Sequence, residues 1–362
     1  MKTAAVITIH IGQNFGSNLQ TIATSEVIKK LGYRPLIVNY IPQRVSRRSY
    51  WKDAIKNPIK FCWRIINAPL FYKNLRIYES YQAKYCELTW PIYDEDNFLN
   101  SCPKADIYIT GSDQVWNSKH NQGFNRRYFW AGLPSECLKI SYASSFGVEN
   151  LSREEYQIVK EYLSGYKDIS VREHSAKTII ESMGFKAEHL LDPTFMLSRQ
   201  EWTSFMSQRI VKERYLLVYV PYNIVDKNDL YTTARIISNK LNLKVVTFSW
   251  GYNKEKLADK TVKFANPGDF LSLIYYADYV ITNSFHGTAF SINLNKQFSV
   301  YMPSGFGTRI DSILSLCKLQ NRLVSKEFDS QVLSEPINYD CVNTILEGER
   351  SKALIFLKRA LS

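Results

Sequence analysis

Short apolar segments alternate with amphipathic helical segments along most of this 362-residue chain, and the alternation restricts the fold more than any other feature. Residues 6–9 and 106–110 are predicted strands, and residues 19–31 and 151–163 are predicted helices. Strands that alternate with helices favour a parallel sheet with helices on both of its faces. The sequence therefore predicts an α/β protein.

The alternation runs through the chain twice. The first series is followed by a polar and charged segment, and the second series begins at residue 215. We predict an N-terminal α/β domain at 1–197, a linker at 198–213, a C-terminal α/β domain at 214–340 and a C-terminal helix at 341–362. Two α/β halves imply a cleft between them, which is a common place for a ligand.

The segment 43–84 interrupts the first series and carries most of the positive charge. Ten basic residues against two acidic ones give it a net charge of +8, out of +12 for the whole chain, and it also holds eight aromatic residues. Basic residues interleaved with aromatic ones are typical of surfaces that bind anionic lipid headgroups. A solvated helical hairpin that packs on the domain through its rings explains the same composition. Nucleic acid is the weaker interpretation, because no nucleic-acid-binding motif accompanies the charge.

The other bulk features indicate a globular protein of the cytoplasm. The six cysteines form no Cys-x-x-Cys pair and no zinc-finger spacing, which favours reduced thiols over a disulfide framework. The apolar N-terminal run is short and leads directly into a loop, so we interpret it as a buried strand rather than a signal peptide. No run approaches the roughly 20 apolar residues of a membrane-spanning helix.

The most chemically informative run is Asn-Ser-Phe-His-Gly-Thr at 283–288, between a predicted strand at 279–282 and a predicted helical stretch that begins at 289. This position puts His286 at the carboxyl end of a strand, where open α/β sheets bind ligands. An imidazole beside the backbone N–H groups of a helix start suits an anionic substrate. Gly287 is expected to let that substrate approach the backbone closely. The alternative is a histidine that only satisfies local backbone groups.

Two further loops carry polar side chains beyond predicted strands. Residues 12–18 follow the first strand, and the run Gly-Ser-Asp-Gln-Val-Trp-Asn at 111–117 follows the strand at 106–110. A tight strand–helix turn also explains the first loop, and an Asx-turn at Asp113 also explains the second. The candidate cleft-lining residues are Asn14, Ser17, Asn18, Ser112, Asp113, Gln114, Trp116 and Asn117.

Five runs, taken in their order and spacing, resemble the polysaccharide pyruvyl transferase family. They lie at 14–20, 111–117, 170–173, 191–195 and 284–287. The resemblance covers nearly the whole chain, and the run at 111–117 is its most specific element.

The resemblance implies a fold similar to that of the two-domain (GT-B-like) glycosyltransferases, with two facing doubly wound Rossmann-like domains and an interdomain cleft. It implies transfer of a pyruvyl group from phosphoenolpyruvate to two hydroxyls of one sugar, which makes a cyclic ketal and releases phosphate. The acceptor would be a sugar of a cell-surface polysaccharide or of its lipid-linked precursor, such as a polyprenyl-diphosphate-linked oligosaccharide. No cofactor is expected besides this co-substrate, and no metal, because arginines can neutralise the donor.

On the same resemblance, His286 is the expected general acid and base. An imidazole with its ordinary pKa of about 6.5 can carry either role near neutral pH. The cleft-lining residues above are then assigned to the acceptor side. The candidate donor-binding residues are Arg172, Arg309, Ser284, Gly287 and Thr288.

The two arginines suit the donor because a guanidinium can bind a carboxylate or a phosphate with two hydrogen bonds. A surface ion pair is the alternative for each of them. Many members of the family carry an arginine where this chain has Phe285. Either another cation makes that anion contact here, or the donor differs.

Two other functions stay open at this stage. One is a nucleotide-sugar glycosyltransferase of the same architecture, since a fold alone does not fix a function. The other is a non-catalytic membrane-associated or nucleic-acid-binding module that acts through 43–84. We favour the pyruvyl transferase, in the cytoplasm and peripheral at the inner face of the membrane through 43–84, with no nucleic-acid partner.

Overall fold

The computed structural model describes residues 1–52, 54–55, 57–222, 227–303, 307–324 and 328–362. The chain divides into a first unit, Met1–Pro193 with Ala353–Ser362, and a second unit, Thr194–Lys352. The sequence predicts this boundary at residue 197.

The first unit contains six short strands and seven helices in its described residues. The strands are β1 (Thr3–Ile7), β2 (Arg34–Ile37), β3 (Ile107–Thr110), β4 (Lys139–Ser141), β5 (Ser170–Val171) and β6 (Glu188–His189). The helices are α1 (Phe15–Lys30), α2 (Arg47–Lys52), α3 (Pro58–Tyr85), α4 (Phe98–Ser101), α5 (Ser118–Asn121), α6 (Arg153–Leu163) and α7 (His174–Ser182).

The second unit repeats the alternation. Its described strands are β7 (Tyr215–Tyr219), β8 (Lys244–Ser249), β9 (Lys260–Lys263), β10 (Tyr279–Thr282), β11 (Gln297–Tyr301) and β12 (Leu323–Val324). Its helices are α8 (Arg199–Trp202), α9 (Lys227–Leu241), α10 (Pro267–Tyr275), α11 (Phe285–Asn293), α12 (Thr308–Leu316) and the start of α13 (Tyr339–Leu361), whose last residues belong to the first unit.

The sheet of the first unit has the order β2-β1-β3-β4, and every pair of neighbours is parallel. Bridges between Ile140 and Asp168 and between Ser144 and Val171 continue the pairing from β4 to the β5–β6 pair. The strand order reverses between β1 and β3. The loops that leave the carboxyl ends of these two strands therefore flank the switch point where such sheets bind ligands.

The sheet of the second unit has the order β12-β11-β10-β7-β8-β9, again with parallel neighbours. Its order reverses between β7 and β10. Both central strands are buried along their whole length and are rich in apolar residues, as expected for strands covered on both faces. The α/β prediction is therefore confirmed.

Two helices begin earlier than the sequence indicated. Helix α1 begins at Phe15, inside the loop expected at 12–18, because the side chain of Asn14 caps it by accepting from the backbone N–H groups of Gly16 and Ser17. Helix α11 begins at Phe285, where the helical pattern had been read from 289. His286 therefore lies in the first turn of a helix. Among the described residues, no helix combines the length and the apolar character needed to cross a bilayer.

Candidate functional site

In the first unit, a short hydrogen bond joins the first turn of α1 to the loop that follows β3. Ser17, in the first turn of α1, donates its hydroxyl to Asp113 Oδ2 at 2.6 Å. Asp113 has a φ of 73°, an uncommon backbone conformation for a residue other than glycine. Its other carboxylate oxygen accepts the backbone N–H of Gln114 at 2.9 Å. The strained conformation is thus stabilised locally, and it marks the loop as one built for a particular geometry.

Arg172, just after β5, lies between two carboxylates. Its Nη1 donates to Asp192 Oδ2 at 2.7 Å, and its Nη2 lies 3.4 Å from Asp113 Oδ1. All three side chains are buried. Ser112 donates a hydroxyl to the same Asp192 oxygen at 2.8 Å. Arg172 is therefore part of a buried ion-pair network, not the surface ion pair that the sequence left as its alternative.

The charges around Arg172 act on its pKa in opposite directions. Burial alone would lower the pKa of the guanidinium, but the charges of Asp192, Asp113 and Glu173 outweigh burial and raise the pKa above its ordinary value. Glu173 itself is held by three donors, the hydroxyl of Ser145 and the backbone N–H groups of 146 and 147. The guanidinium of Arg172 therefore stays charged at physiological pH, and its role as a donor clamp remains a prediction.

The remaining predicted residues of the first unit lie in three environments. Asn117 donates to Gln114 Oε1 at 2.6 Å, so these two amides bind each other. Trp116 is fully buried and stacks on Phe129 with 5.3 Å between ring centroids, which is a core contact. Asn18 faces a separate pocket, described below. Whether these residues line an acceptor site remains a prediction.

In the second unit, His286 occupies the first turn of α11, directly after the central strand β10. Ser284 caps the helix by accepting the N–H of Gly287, and Thr288 donates its hydroxyl back to the Ser284 carbonyl at 3.0 Å. First-turn N–H groups point out of a helix and carry the positive end of its dipole. The imidazole thus lies beside a region that favours negative charge.

Gly287 has a packing role that differs from the expected one. A Cβ at this position would overlap the hydroxyl of Thr282 and would lie 3.1 Å from the ring of Tyr219. The missing side chain lets α11 pack directly against β10 and β7. The expectation that Gly287 also lets a substrate approach the backbone stays a prediction.

Phe285 and Arg309 are in contact. The guanidinium of Arg309, at the start of α12, lies 5.6 Å from the centroid of the Phe285 ring, within the range of a cation–π interaction. The Phe285 ring also meets the His286 ring edge to face at 5.1 Å. Arg309 is buried. The loop at 304–307 that precedes it lies, apart from Gly307, outside the described residues.

Sequence analysis assigned no role to several residues that build the two sites. In the second unit, Asn283 donates its side-chain amide to the carbonyl of Tyr222 at 2.8 Å and so joins the loops on both sides of the switch point. In the first unit, Asp192 and Glu173 hold the Arg172 network. All three lie in or beside the runs that carried the family resemblance, which is the signal that could have indicated them.

The arrangement separates two kinds of chemistry. The second unit offers an imidazole, a guanidinium and a helix N-terminus, which together suit an anion that must exchange protons. The first unit offers hydroxyls and amides beside a guanidinium that is already paired with carboxylates. Across the described ranges, no group of three or more His, Cys, Asp and Glu side chains is arranged to hold a metal ion.

Comparison with solved structures gives the fold. UDP-N-acetylglucosamine 2-epimerase from Rickettsia bellii aligns with a TM-score of 0.52 and 10% identity over 100% of this chain and 96% of that one. UDP-GlcNAc 2-epimerase from Neisseria meningitidis, bound to UDP-GlcNAc, aligns with a TM-score of 0.51 and 9% identity over 98% and 94%. The S. aureus MnaA–UDP co-structure aligns with a TM-score of 0.53 and 10% identity over 98% and 91%. Such similarity shows the fold alone, and the GT-B-like prediction of two Rossmann-like domains is confirmed.

No curated protein sequence matches the chain. One family model does, and its description is polysaccharide pyruvyl transferase. The match extends from residue 14 to residue 304 and so includes the polar loop of β3, the Arg172 network and the histidine of α11. This extent carries the conclusion that the chain belongs to the polysaccharide pyruvyl transferase family.

Proposed function

We propose that this pyruvyl transferase takes its pyruvyl group from phosphoenolpyruvate and forms a cyclic ketal on a sugar of a surface polysaccharide or of its lipid-linked precursor. The observation that carries the proposal is the position of His286, buried in the first turn of a helix at the switch point of the second unit. There it can exchange protons with an anion that the helix N-terminus favours.

Arg309 supports the choice of donor. Phosphoenolpyruvate carries a carboxylate and a phosphate, so its site needs cations. Phe285 replaces an arginine of the family, and the guanidinium of Arg309 lies against the ring of that phenylalanine. We infer that Arg309 supplies the cation that the substitution removes. The donor therefore need not differ from that of the family.

The reaction then follows from the chemistry of the donor. His286 gives a proton to the methylene carbon, and a sugar hydroxyl bonds to C2 and returns its proton to the imidazole. The C2–O bond to phosphate breaks, and phosphate leaves. A second hydroxyl bonds to C2, gives its proton to the released phosphate and closes the ketal. Protons are both given and taken, and an imidazole can do both. No step requires a cofactor or a metal.

The donor and the reaction can be tested together. We would incubate purified protein with phosphoenolpyruvate and a lipid-linked oligosaccharide fraction, then measure released phosphate and the mass of the product. The proposal predicts phosphate release and a product heavier by one pyruvyl ketal. Calorimetry that detects binding of a nucleoside diphosphate but not of phosphoenolpyruvate would reject it and favour the nucleotide-sugar glycosyltransferase.

We also propose that the segment 43–84 holds the enzyme at the cytoplasmic face of the membrane. Ile59, Trp63 and Ile66 recur at i, i+4 and i+7 on α3 and are 83%, 60% and 77% exposed. Other rings of the segment pack inside it, as in the stack of Tyr50 on Phe71 at 4.1 Å. An exposed apolar face on a basic segment supports binding to anionic lipid.

Flotation with anionic and neutral vesicles tests the membrane proposal. We expect the protein to float with the anionic vesicles and the triple variant Ile59→Ser, Trp63→Ser, Ile66→Ser to stay in solution. A matched control replaces three isoleucines exposed elsewhere, Ile158, Ile236 and Ile355, with serine. Equal flotation of the two triple variants would contradict the proposal.

A further inference from the structure

The first unit contains a pocket that the proposed reaction does not yet use. It encloses about 270 Å³, near the lower end of the sizes of ligand sites, roughly 300 Å³. Residues that follow β1 and β2 form one wall, and the second half of α3 forms the other. All of its lining residues belong to the first unit.

Two amide side chains in this pocket have unused hydrogen-bonding atoms. Asn18 and Gln82 are 1% and 4% exposed. Within the described part of the chain, neither Asn18 Oδ1 nor Gln82 Nε2 has a hydrogen-bond partner. Leaving such atoms buried and unbonded costs about 1–3 kcal/mol each. Both residues line the pocket, so an occupant that reaches their side chains can satisfy one acceptor and one donor.

The pocket is also electrically neutral. Burial lowers the pKa of His10, and the hydrogen bonds with Asn39 and Thr8 raise it. Burial has the larger effect, so the imidazole is uncharged near neutral pH. Its Nδ1 lies 3.2 Å from the Thr8 carbonyl and its Nε2 lies 3.1 Å from Asn39 Oδ1, so the ring nitrogen that carries the proton donates to its partner. At the rim, Arg47 and Glu79 form an ion pair at 3.2 Å, so their charges cancel.

The remaining lining is apolar or aromatic. Leu75 and Leu88 contribute aliphatic surface, and Tyr78 and Tyr93 contribute rings. Tyr93 is 53% exposed, so its ring is accessible. A neutral pocket with paired donors and acceptors, aliphatic walls and an accessible ring suits a molecule that has hydroxyls at its edge and C–H groups on its faces. A pyranose has this chemistry, whereas an anion would find no net positive charge here.

We propose that this pocket binds one neutral sugar ring of the acceptor, with Asn18 and Gln82 as the groups that recognise its hydroxyls. The assignment of the sugar to an acceptor rests on the proposed function. The assignment of a neutral sugar to the pocket rests on the pocket alone. Asn18 lies next to Ser17, which binds Asp113, so the pocket adjoins the switch point of the first unit.

Saturation-transfer NMR with D-glucose, D-galactose, D-mannose and N-acetyl-D-glucosamine tests the proposal without any turnover. We expect at least one of these sugars to receive saturation from the protein, and Gln82→Leu to weaken its binding at least tenfold. The matched control is Gln157→Leu, on the exposed face of α6. If Gln82→Leu does not fold, as judged by its melting curve, Tyr93→Ala at the accessible ring replaces it.

Calorimetry with phosphoenolpyruvate on the same samples separates this proposal from the proposed function. Sugar binding without phosphoenolpyruvate binding would reject the donor and leave the pocket standing. Phosphoenolpyruvate binding with no saturation of any sugar would overturn the pocket. Equal sugar binding by Gln82→Leu and Gln157→Leu would overturn it as well.

Discussion

Each unit buries an arginine near a predicted site, and the surroundings of the two arginines differ. Arg172 of the first unit is bound by the carboxylates of Asp113 and Asp192. Arg309 of the second unit lies against the ring of Phe285. The first guanidinium is paired with fixed carboxylate charges, whereas the second makes a cation–π contact.

The two environments favour different roles for the two arginines. A buried ion pair contributes positional specificity and is damaging to break, because the partner charges are left unpaired. A guanidinium over an aromatic face keeps its N–H groups at the ring's edge, where an anion can be bound. We therefore expect Arg172 to act mainly on the stability of the first unit, and Arg309 mainly on binding of the donor.

The largest effect is expected from the histidine beside Arg309. His286→Gln removes the group that exchanges protons, so the turnover rate should fall by about 100- to 10,000-fold. Binding of phosphoenolpyruvate, measured by calorimetry, should change little. His120→Gln, outside both sites, serves as the control. A variant that turns over normally would remove His286 from the mechanism and leave the second unit with a binding role only.

The next effect tests the first arginine. Arg172→Met leaves two carboxylates buried without their cation, and the free energy of unfolding should fall by about 3–5 kcal/mol. Denaturant unfolding of the variant measures this loss. A variant that keeps its stability but no longer binds phosphoenolpyruvate would break the comparison, because Arg172 would then be the donor clamp that the family resemblance implies.

A smaller effect is expected at the second arginine. Arg309→Lys keeps the charge but loses the planar, bidentate group, so the affinity for phosphoenolpyruvate should fall by roughly 10- to 100-fold. The melting temperature should stay near that of the wild type. Arg235→Lys, in an exposed ion pair with Asp259, is the matched control. Unchanged affinity in Arg309→Lys would assign the missing anion contact to some other cation.

The smallest effect concerns a partly buried cation of the second unit, Lys296. Burial, and then the charge of Arg199, lower the pKa of Lys296 to about 8. The folded state therefore loses this proton before the unfolded state does, and stability rises as the pH increases from about 8 to about 10.5. Lys296→Met should remove that rise and increase the free energy of unfolding at pH 7 by on the order of 2 kcal/mol.

Unfolding of wild type and Lys296→Met across this pH range provides the measurement. Lys254→Met, at an exposed position, is the control. The contradicting result is a difference in the free energy of unfolding between wild type and Lys296→Met that does not vary with pH. It would show that neighbouring groups compensate the Lys296 charge as fully as the carboxylates compensate Arg172.

The fold was predictable from the sequence because buried parallel strands have short, continuous runs of apolar residues. Strand β10 was predicted with its bounds at 279–282. Strand β9 was not predicted, because its sequence Lys-Thr-Val-Lys lies at the edge of the sheet and lacks an apolar run. Edge strands are covered less completely than central ones, so their pattern is weaker.

The sites were predictable in part. The place of His286 at the end of a strand followed from the pattern around it. The pairing of Arg172 with Asp113 and Asp192 did not, because these residues are far apart in sequence and meet only when separate loops fold together. The same limit applies to the pocket of Asn18 and Gln82, because these two residues lie on α1 and α3, which are far apart in sequence.

The last helix affects the order in which the two units can fold during synthesis. Residues 353–362 of α13 complete the first unit, where Arg359 pairs with Asp168 and Glu188 and the Leu361 carbonyl accepts the hydroxyl of Tyr33. Domains commonly fold as they emerge from the ribosome, beginning with the N-terminal one. Here the first unit cannot close until the whole of the second has been translated. The domain that starts synthesis is therefore the one that finishes last.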